Sequence, residues 1–357
     1  MGDRFKTTRR QLILGKFAAA HDHAESAVIP ESIAKNEFLS TFSSRAMACQ
    51  FEVYLDPHRY SSGPETALTA LQLIGEIENV LTVYRLGSMV SQLNQRAAKE
   101  SVSVDDGLFQ LLEHSLQIFE STGGAFDVTA GPLSRVWGFH DRQPRIPDEQ
   151  SIESALALVG SQHIQLDRER RTIKFLLPDT TINLGSIGKG YALDQCAEIM
   201  EQQGIDDFLI HGGQSSVLAR GNALANDESA AGWLIGLAHP ISTQHRLGTV
   251  RLLNRSLGTS GSQRQSLVHN GQRLGHIIDP RTGWPATGVL SATVLAPTAA
   301  DADALATAFY VLGVAEVSRF CAARSDITAI MVIDGKKPGT IDLATFNLDE
   351  DDLEISG

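Results

Sequence analysis

The stretch that decides the fold reads GHIIDPRTG at residues 275–283, SATVLA at 291–296 and ADALATA at 302–308. Pro280 fixes φ and Gly283 allows a positive φ, so the first segment predicts a short strand that breaks into a tight turn. The second segment predicts a strand, and the alanine-rich third predicts a helix. Periodicity therefore indicates a mixed α and β fold.

Asp303 and Thr307 lie four residues apart, which places both on one face of the predicted helix, about one turn apart. A carboxylate and a hydroxyl are hard oxygen donors, which suit Mg²⁺ better than Zn²⁺. His276 is the polar group that the preceding turn presents beside them. Each residue also has a structural interpretation: Asp303 as a helix cap, Thr307 as a packing residue and His276 as a buried structural histidine.

The composition is that of a soluble globular protein: 357 residues, 42% hydrophobic and 20% charged. Such a chain can bury a large core, in one big domain or two interleaved ones. The formal net charge of −12 argues against a nucleic-acid partner. Cys49, Cys196 and Cys321 have neither disulfide-framework nor metal-site spacing, so we interpret them as small buried hydrophobes.

Three regions are predicted: a leader or arm at residues 1–44 that need not be ordered, a globular domain at 45–335, and an acidic tail at 336–357. The segment TTRRQLIL at 7–14 resembles a twin-arginine export signal, but Lys16 interrupts the apolar run that follows. A secretory signal needs about 7–15 apolar residues. The cytoplasm is therefore the predicted location, with export as the alternative. No stretch approaches the length of a membrane span.

Further elements follow from periodicity. Residues 47–55 alternate apolar and polar side chains and predict a strand. Residues 65–81 and 107–121 carry apolar residues at helical spacing and predict two amphipathic helices. Glycines at 123 and 124 would end the second helix.

A glycine-rich segment, INLGSIGKGYALD, occupies residues 182–194. It predicts a strand end, a turn and a helix start, an arrangement whose first N–H groups favour an anion. The order of its glycines matches neither a P-loop nor a dinucleotide-binding fingerprint.

These segments together resemble the ApbE-type FAD:protein FMN transferases. That family carries H-I-I-D-P-[RK]-T-G followed by A-D-A-L-x-T-A, as at residues 276–283 and 302–308 here. A second hallmark, G-A-F-D-x-T-x-G-P-L with a trailing W-G-F, matches 124–133 and 137–139, and L-G-[GS]-I-[AG]-K-G-Y-A-x-D matches 184–194. The resemblance spans about residues 46–335, nearly the whole predicted globular region.

The resemblance implies an α+β fold of mixed, mostly antiparallel sheets with outer helices and FAD between two interleaved lobes. It implies transfer of FMN from FAD to a threonine or serine hydroxyl of an acceptor protein, with release of AMP. The implied partners are therefore FAD, Mg²⁺ and the acceptor protein. Contact with a membrane is expected only through an acceptor.

The resemblance also assigns residues to the site. The metal falls to Asp303, Thr307 and the main-chain carbonyl of Gly188, and the general base is His276. The residues placed against FAD are Met47, Tyr84, Ala125, Phe126, Asp127, Gly185, Lys189, Tyr191 and Ile277. For Met47 and Asp127, plain core packing and helix-turn capping are the alternatives.

The chain departs from the family pattern at Ala48, Cys49, Asn183, Gln214 and Ser262. Two other functions therefore remain open. The same site could pass FMN to water, which would make the protein an FAD hydrolase. Alternatively, the protein could bind flavin without catalysis. The departures at Ala48, Cys49, Gln214 and Ser262 favour this alternative, and intact His276, Asp303 and Thr307 oppose it.

Overall fold

The computed structural model describes residues 8–12, 27–28, 38–223, 231–242, 245–261, 265–337, 339–349 and 352–355. Ser262 and most of the predicted leader lie outside these residues. The chain forms two compact units. Unit 1 consists of Met1–Gly75, Lys189–Gly261 and Gly288–Gly357, and unit 2 consists of Glu76–Gly188 and Ser262–Thr287. The two units are interleaved along the chain, as the family resemblance implied.

The helices in the described residues are α1 (Gly63–Leu81), α2 (Met89–Arg96), α3 (Asp106–Ser121), α4 (Gly131–Val136), α5 (Glu149–Leu156), α6 (Gly188–Gln202) and α7 (Ala299–Ala323). The first nine strands are β1 (Thr8–Leu12), β2 (Ala27–Val28), β3 (Ser40–Ala46), β4 (Cys49–Leu55), β5 (Val102–Ser103), β6 (Ile164–Asp167), β7 (Thr172–Phe175), β8 (Phe208–Gly212) and β9 (Ser216–Arg220). The later strands are β10 (Trp233–Ala238), β11 (Arg246–Leu252), β12 (Ser256–Gly261), β13 (Ser266–His269), β14 (Gln272–Gly275), β15 (Ser291–Ala296), β16 (Thr328–Asp334), β17 (Ile341–Phe346) and β18 (Leu353–Ile355).

Unit 1 is built on a nine-stranded antiparallel sheet in the order β1-β17-β16-β15-β12-β9-β8-β4-β3. A second sheet, β18-β11-β10-β2, packs on one face through a continuous hydrophobic cluster. Trp233 of β10 is fully buried in this cluster and donates its indole N–H to the Arg220 carbonyl at 2.9 Å. Apolar residues on alternate positions of both sheets therefore form the main core of the unit.

Helix α7 lies on β12 and β15 of the large sheet. Thr298 caps it by accepting the Asp301 N–H at 3.1 Å, and Gly313, with φ 74° and ψ 173°, interrupts its helical geometry. Among the described helices, α7 alone is long and apolar enough to cross a membrane. The expectation that no stretch reaches this length was wrong. Its apolar residues are used in the core instead, where Leu305 and Phe309 are buried.

Unit 2 combines helices with two small sheets, β5-β7-β6 and the β13-β14 hairpin. A hydrophobic cluster of unit 2 joins α4 and α5 to the β13-β14 hairpin and the segment after it, and it includes the large side chains of Trp137 and Phe139. Asp105 caps α3 by accepting the Leu108 N–H at 2.8 Å, which confirms the predicted helix at 107–121. The strand predicted at 291–296 and the helix predicted at 65–81 are also confirmed.

The predicted strand at 47–55 begins two residues later, at Cys49. Met47 and Ala48 form the two-residue turn between β3 and β4, with φ of 49° and 59°. A turn of this kind needs positive φ at both central residues and normally contains glycine or asparagine. Because Met-Ala lacks that signal, the sequence did not reveal the hairpin.

The predicted boundary at residue 335 was also wrong, since β17 lies within the large sheet and β18 within the small one. Ile341 and Leu343 of β17 are buried in the core between the two sheets. The acidic run at residues 349–352 is typical of a solvated tail, and it follows this alternating apolar strand closely in the sequence.

Replacement of Ala48 by glycine should stabilise unit 1. An L-residue at positive φ costs about 1–2 kcal/mol, part of which glycine gives back through its freer unfolded chain. We expect Ala48→Gly to raise the free energy of unfolding by about 0.5–1 kcal/mol, measured by denaturant titration. The control is Ala46→Gly, in the adjoining strand, where loss of the buried methyl should lower stability. Equal destabilisation by both changes would contradict the strained turn.

Candidate active site

The predicted turn after His276 is present and is closed by its own hydrogen bonds. Gly283 N–H donates to the Asp279 carbonyl at 2.9 Å. The Arg281 guanidinium donates to both Asp279 carboxylate oxygens at 2.8 Å. Gly283 has φ of 77°, a conformation that favours glycine. The turn therefore forms a rigid support next to His276.

Two buried aromatic residues hold this turn from the α4 side. Trp137 donates its indole N–H to the Gly283 carbonyl at 2.9 Å. The Phe139 ring meets the His276 ring edge to face, with centroids 6.4 Å apart and planes at 73°. His276 N–H donates to the Gln265 carbonyl at 3.1 Å. The main chain and ring of His276 are thus placed by contacts within unit 2.

Asp127 is the most heavily bonded of the predicted flavin-binding residues. One carboxylate oxygen accepts the Thr129 N–H at 2.8 Å, the Thr129 hydroxyl at 2.6 Å and the Ser161 hydroxyl at 2.7 Å. The other accepts the Ser161 N–H at 3.1 Å. This geometry supports the structural alternative for the Asp127 side chain, which ties together two loops of unit 2.

The other predicted residues of unit 2 occupy different environments. Tyr84 is exposed and stacks on His140, with ring centroids 5.3 Å apart. Gly185 N–H donates to the Asn183 side chain at 2.9 Å. Gly188 is the first residue of α6. Ala125, Phe126 and Ile277 are buried.

Asp303, in unit 1, is a buried carboxylate with three donors in the described part of the chain. Ser216 donates its hydroxyl to Oδ1 at 2.6 Å. Gly190 N–H donates to Oδ2 at 2.8 Å, and the Lys189 ammonium lies 3.3 Å from the same oxygen. The structure thus brings together Asp303 and Lys189, two residues that the sequence placed in the site.

Thr307 follows Asp303 by one helical turn, as predicted. Its hydroxyl lies 3.3 Å from the Asp303 carbonyl and 3.1 Å from the Ser260 hydroxyl. Tyr191, on α6, is half-buried in the same unit. Met47, also in unit 1, lies in the strained turn described above rather than in a strand.

Asp194 is a contributor to which sequence reasoning gave no role. Its two carboxylate oxygens accept the Ala299 and Ala300 N–H groups at 2.7 and 2.9 Å. These are the first N–H groups of α7, so Asp194 anchors the helix that carries Asp303. Burial raises the pKa of Asp194 to about 6, although the two N–H donors act in the opposite direction. Ser216 and Ser260 were likewise missed as partners of Asp303 and Thr307.

The oxygen atoms of Asp303 and Thr307 are ligands that fit a hard divalent cation. No group of three or more His, Cys, Asp or Glu side chains suited to a metal occurs in the described residues. Mg²⁺ does not require one, because it binds through one or two carboxylates while substrate phosphates and water complete its shell. A buried carboxylate followed by a hydroxyl one turn later is such a partial set.

The family model described as the ApbE family matches residues 47–331. The chain belongs to the ApbE family. A protein named FAD:protein FMN transferase from Klebsiella pneumoniae (strain 342) is 35% identical over 242 residues, covering 66% of this chain and 68% of that protein. One of the same name from Haemophilus influenzae is 30% identical over 283 residues, covering 76% and 80%.

Solved structures of ApbE proteins share the fold. The flavin transferase ApbE from Vibrio cholerae superposes with a TM-score of 0.74 at 25% identity, over 86% of this chain and 96% of that one. The ApbE protein from Thermotoga maritima gives 0.72 at 26% identity, over 83% and 94%. The predicted α+β fold of mostly antiparallel sheets is therefore confirmed.

The raised pKa of Asp194 predicts a pH-dependent stability. Because the folded-state pKa of about 6 exceeds the ordinary value of 3.8, the folded protein binds the proton more tightly than the unfolded chain. The stabilisation is present below about pH 4 and is lost as pH rises through about 6. Asp194→Asn imitates the protonated acid, so it should remove this pH-dependent change in the free energy of unfolding, which is up to about 3 kcal/mol. The free energy is measured by denaturant titration at pH values between about 4 and 6.

The matched control for this experiment is Asp148→Asn. The Ser151 N–H lowers the pKa of the exposed Asp148, the cap of α5. Its stabilisation is therefore present at higher pH and is lost on acidification. The two variants should change the pH slope in opposite directions. An unchanged slope in Asp194→Asn would contradict the raised pKa.

Proposed function

We propose that this protein transfers FMN from FAD to a threonine or serine hydroxyl of an acceptor protein and releases AMP. The observation that carries this proposal is membership of the ApbE family, with 35% identity over 242 residues to a protein named FAD:protein FMN transferase. The site residues support it, since His276, Asp303 and Thr307 are all present and are held by defined contacts.

The reaction replaces the phosphoanhydride bond of FAD with a phosphoester bond to the acceptor. The acceptor hydroxyl oxygen attacks the phosphorus on the FMN side of the pyrophosphate, and a new O–P bond forms. The bond from that phosphorus to the bridging oxygen breaks, and AMP leaves with the electron pair. The hydroxyl proton must go to a base, and no water is consumed.

His276 is the proposed base. An imidazole can accept a proton near neutral pH, and its position must be fixed for it to meet the attacking hydroxyl. Two contacts provide that placement. The Phe139 ring packs against the His276 ring, and the main-chain N–H of His276 donates a hydrogen bond to the Gln265 carbonyl.

Asp303, Thr307 and the Gly188 carbonyl are the proposed residues for holding Mg²⁺. A bound Mg²⁺ supplies positive charge to the pyrophosphate oxygens. Lys189, beside Asp303, adds a positive charge from the chain itself. FAD is proposed to lie along Tyr84, whose exposed ring offers an aromatic surface.

The direct test uses the proteins of a cell extract. The extract is incubated with the purified protein, FAD and Mg²⁺, then separated under denaturing conditions and examined for flavin fluorescence. A fluorescent band whose intact mass exceeds that of the unmodified protein by FMN less one water supports transfer. Release of free FMN and AMP with no labelled protein would identify the hydrolase alternative, and FAD binding without turnover would identify the non-catalytic one.

His276→Ala should separate catalysis from binding. General-base assistance contributes about 10²–10⁴-fold to rate, so transfer should slow by that range while FAD affinity, measured by calorimetry, stays near wild type. The wild-type rate should also fall on acidification, because a protonated imidazole cannot accept the hydroxyl proton. The variant should lose this dependence. His269→Ala, in the adjacent hairpin, is the control and should keep the wild-type pH profile. Joint loss of FAD binding and thermal stability in His276→Ala would instead indicate a structural histidine.

Asp303→Ala should abolish transfer, because it removes the one charged group of the proposed metal-ligand set. FAD affinity should fall less, since most proposed flavin contacts lie elsewhere. The acceptor's mass is followed over a series of Mg²⁺ concentrations, with Glu316→Gln on the same helix as the control for loss of an acidic charge. Near-normal activity of Asp303→Ala at low Mg²⁺ would rule out the ligand assignment.

A further inference from the structure

Helix α7 approaches the large sheet of unit 1 at backbone distance near Asp303. A Cβ added to Gly258 of β12 would overlap the Ala302 carbonyl and lie 2.7 Å from the Asp303 N. A Cβ added to Gly190 would overlap the backbone of Ala299 in the same way. The two glycines therefore allow the first turns of α7 to pack in direct backbone contact with β12 and α6.

Ser216 lies directly across from Gly258 in the β9–β12 pair. It is fully buried, and its hydroxyl donates to Asp303 Oδ1 at 2.6 Å. A carboxylate oxygen has about two lone-pair positions. Among the described residues Ser216 occupies one of those on Oδ1, so its hydroxyl determines the direction in which the other points.

Ser260 is two residues beyond Gly258 on β12, so its side chain leaves the sheet on the same face. Its hydroxyl lies 3.1 Å from the Thr307 hydroxyl. The two proposed ligand side chains of α7 are therefore each contacted by one serine from the sheet beneath. Successive turns of the helix meet successive same-face positions of two paired strands.

We propose that Ser216 and Ser260 are positioning residues that orient the Asp303 carboxylate and the Thr307 hydroxyl toward Mg²⁺. This inference rests on the proposed function, because it concerns the same site. Ser216 fixes the rotation of the Asp303 carboxylate, while Ser260 gives the Thr307 hydroxyl a hydrogen-bonding partner and so fixes its lone pairs. Outer hydrogen bonds of this kind typically change metal affinity by about 10–100-fold.

Ser256 provides a matched control within the same sheet. It is as deeply buried as Ser216, but its hydroxyl has no hydrogen-bond partner among the described residues. Removal of either hydroxyl changes the volume by the same amount. Only the loss of the Ser216 hydroxyl should affect Asp303.

The experiment measures FAD binding by calorimetry over a series of Mg²⁺ concentrations, together with the melting temperature of the protein without ligands. Ser216→Ala should require about 10–100-fold more Mg²⁺ for the same enhancement of FAD binding, while its FAD affinity without metal stays near wild type. Ser256→Ala should show the wild-type Mg²⁺ dependence. Ser216→Thr, which keeps the hydroxyl, should restore much of the wild-type response.

Two outcomes would overturn the inference. One is a lower melting temperature in Ser216→Ala with unchanged Mg²⁺ dependence, which would indicate packing alone. The other is an equal shift in Ser216→Ala and Ser256→Ala. If Ser216→Ala fails to fold, Ser260→Ala is used instead, because Ser260 is only half-buried. A wild-type Mg²⁺ dependence of FAD binding in Ser260→Ala would also overturn the inference. Failure of the proposed function is distinguishable, because the wild-type protein itself would then show no Mg²⁺-dependent FAD binding and no FMN transfer.

Discussion

The close contact of helix α7 with its neighbours in unit 1 is the constraint on which the arrangement around Asp303 depends. Gly258 and Gly190 permit this contact, because a side chain at either position would overlap the helix backbone. Asp194 then binds the first two N–H groups of the helix. With the helix start and height both fixed, Ser216, Gly190 and Lys189 can all reach one carboxylate. A displacement of about 1 Å would break several of these hydrogen bonds together.

Local sequence signals predicted the elements well where the chemistry is local. Pro280 and Gly283 defined the turn after His276, and alternation or helical spacing defined β15, α1 and α3. The hairpin turn at Met47 and Ala48 was not predicted, because its positive φ values occur without glycine. The strand β17 was not predicted either, because an acidic run follows it closely and the segment was assigned to a tail.

The side-chain partners of the candidate site could not be predicted from spacing at all. Ser216 and Asp303 are 87 residues apart, and Asp194 lies 105 residues from Ala299. Such pairs form only after the strands have assembled into the sheet, and no local pattern encodes them. The sequence motifs supplied Asp303 and His276 as candidates, yet they did not indicate which residues hold them. Only the assembled structure connects β9, β12 and α6 to the same turn of α7.

Asp127 and Asp303 are both buried carboxylates within family motifs, but they differ in how many lone-pair positions remain for a ligand. Each is nearly inaccessible, with 8% and 5% exposure. One oxygen of Asp127 accepts three hydrogen bonds and the other a fourth, all from uncharged donors within its own loops. Oδ1 of Asp303 accepts only the Ser216 hydroxyl among the described residues, and its nearest cation is a lysine on a flexible stem. Since a carboxylate offers about four lone-pair positions, Asp127 has few left for a ligand, whereas Asp303 keeps one on the oxygen that Ser216 orients. The number of hydrogen-bond donors therefore favours a structural role for Asp127, and the remaining lone-pair position on Asp303 is compatible with the proposed metal site.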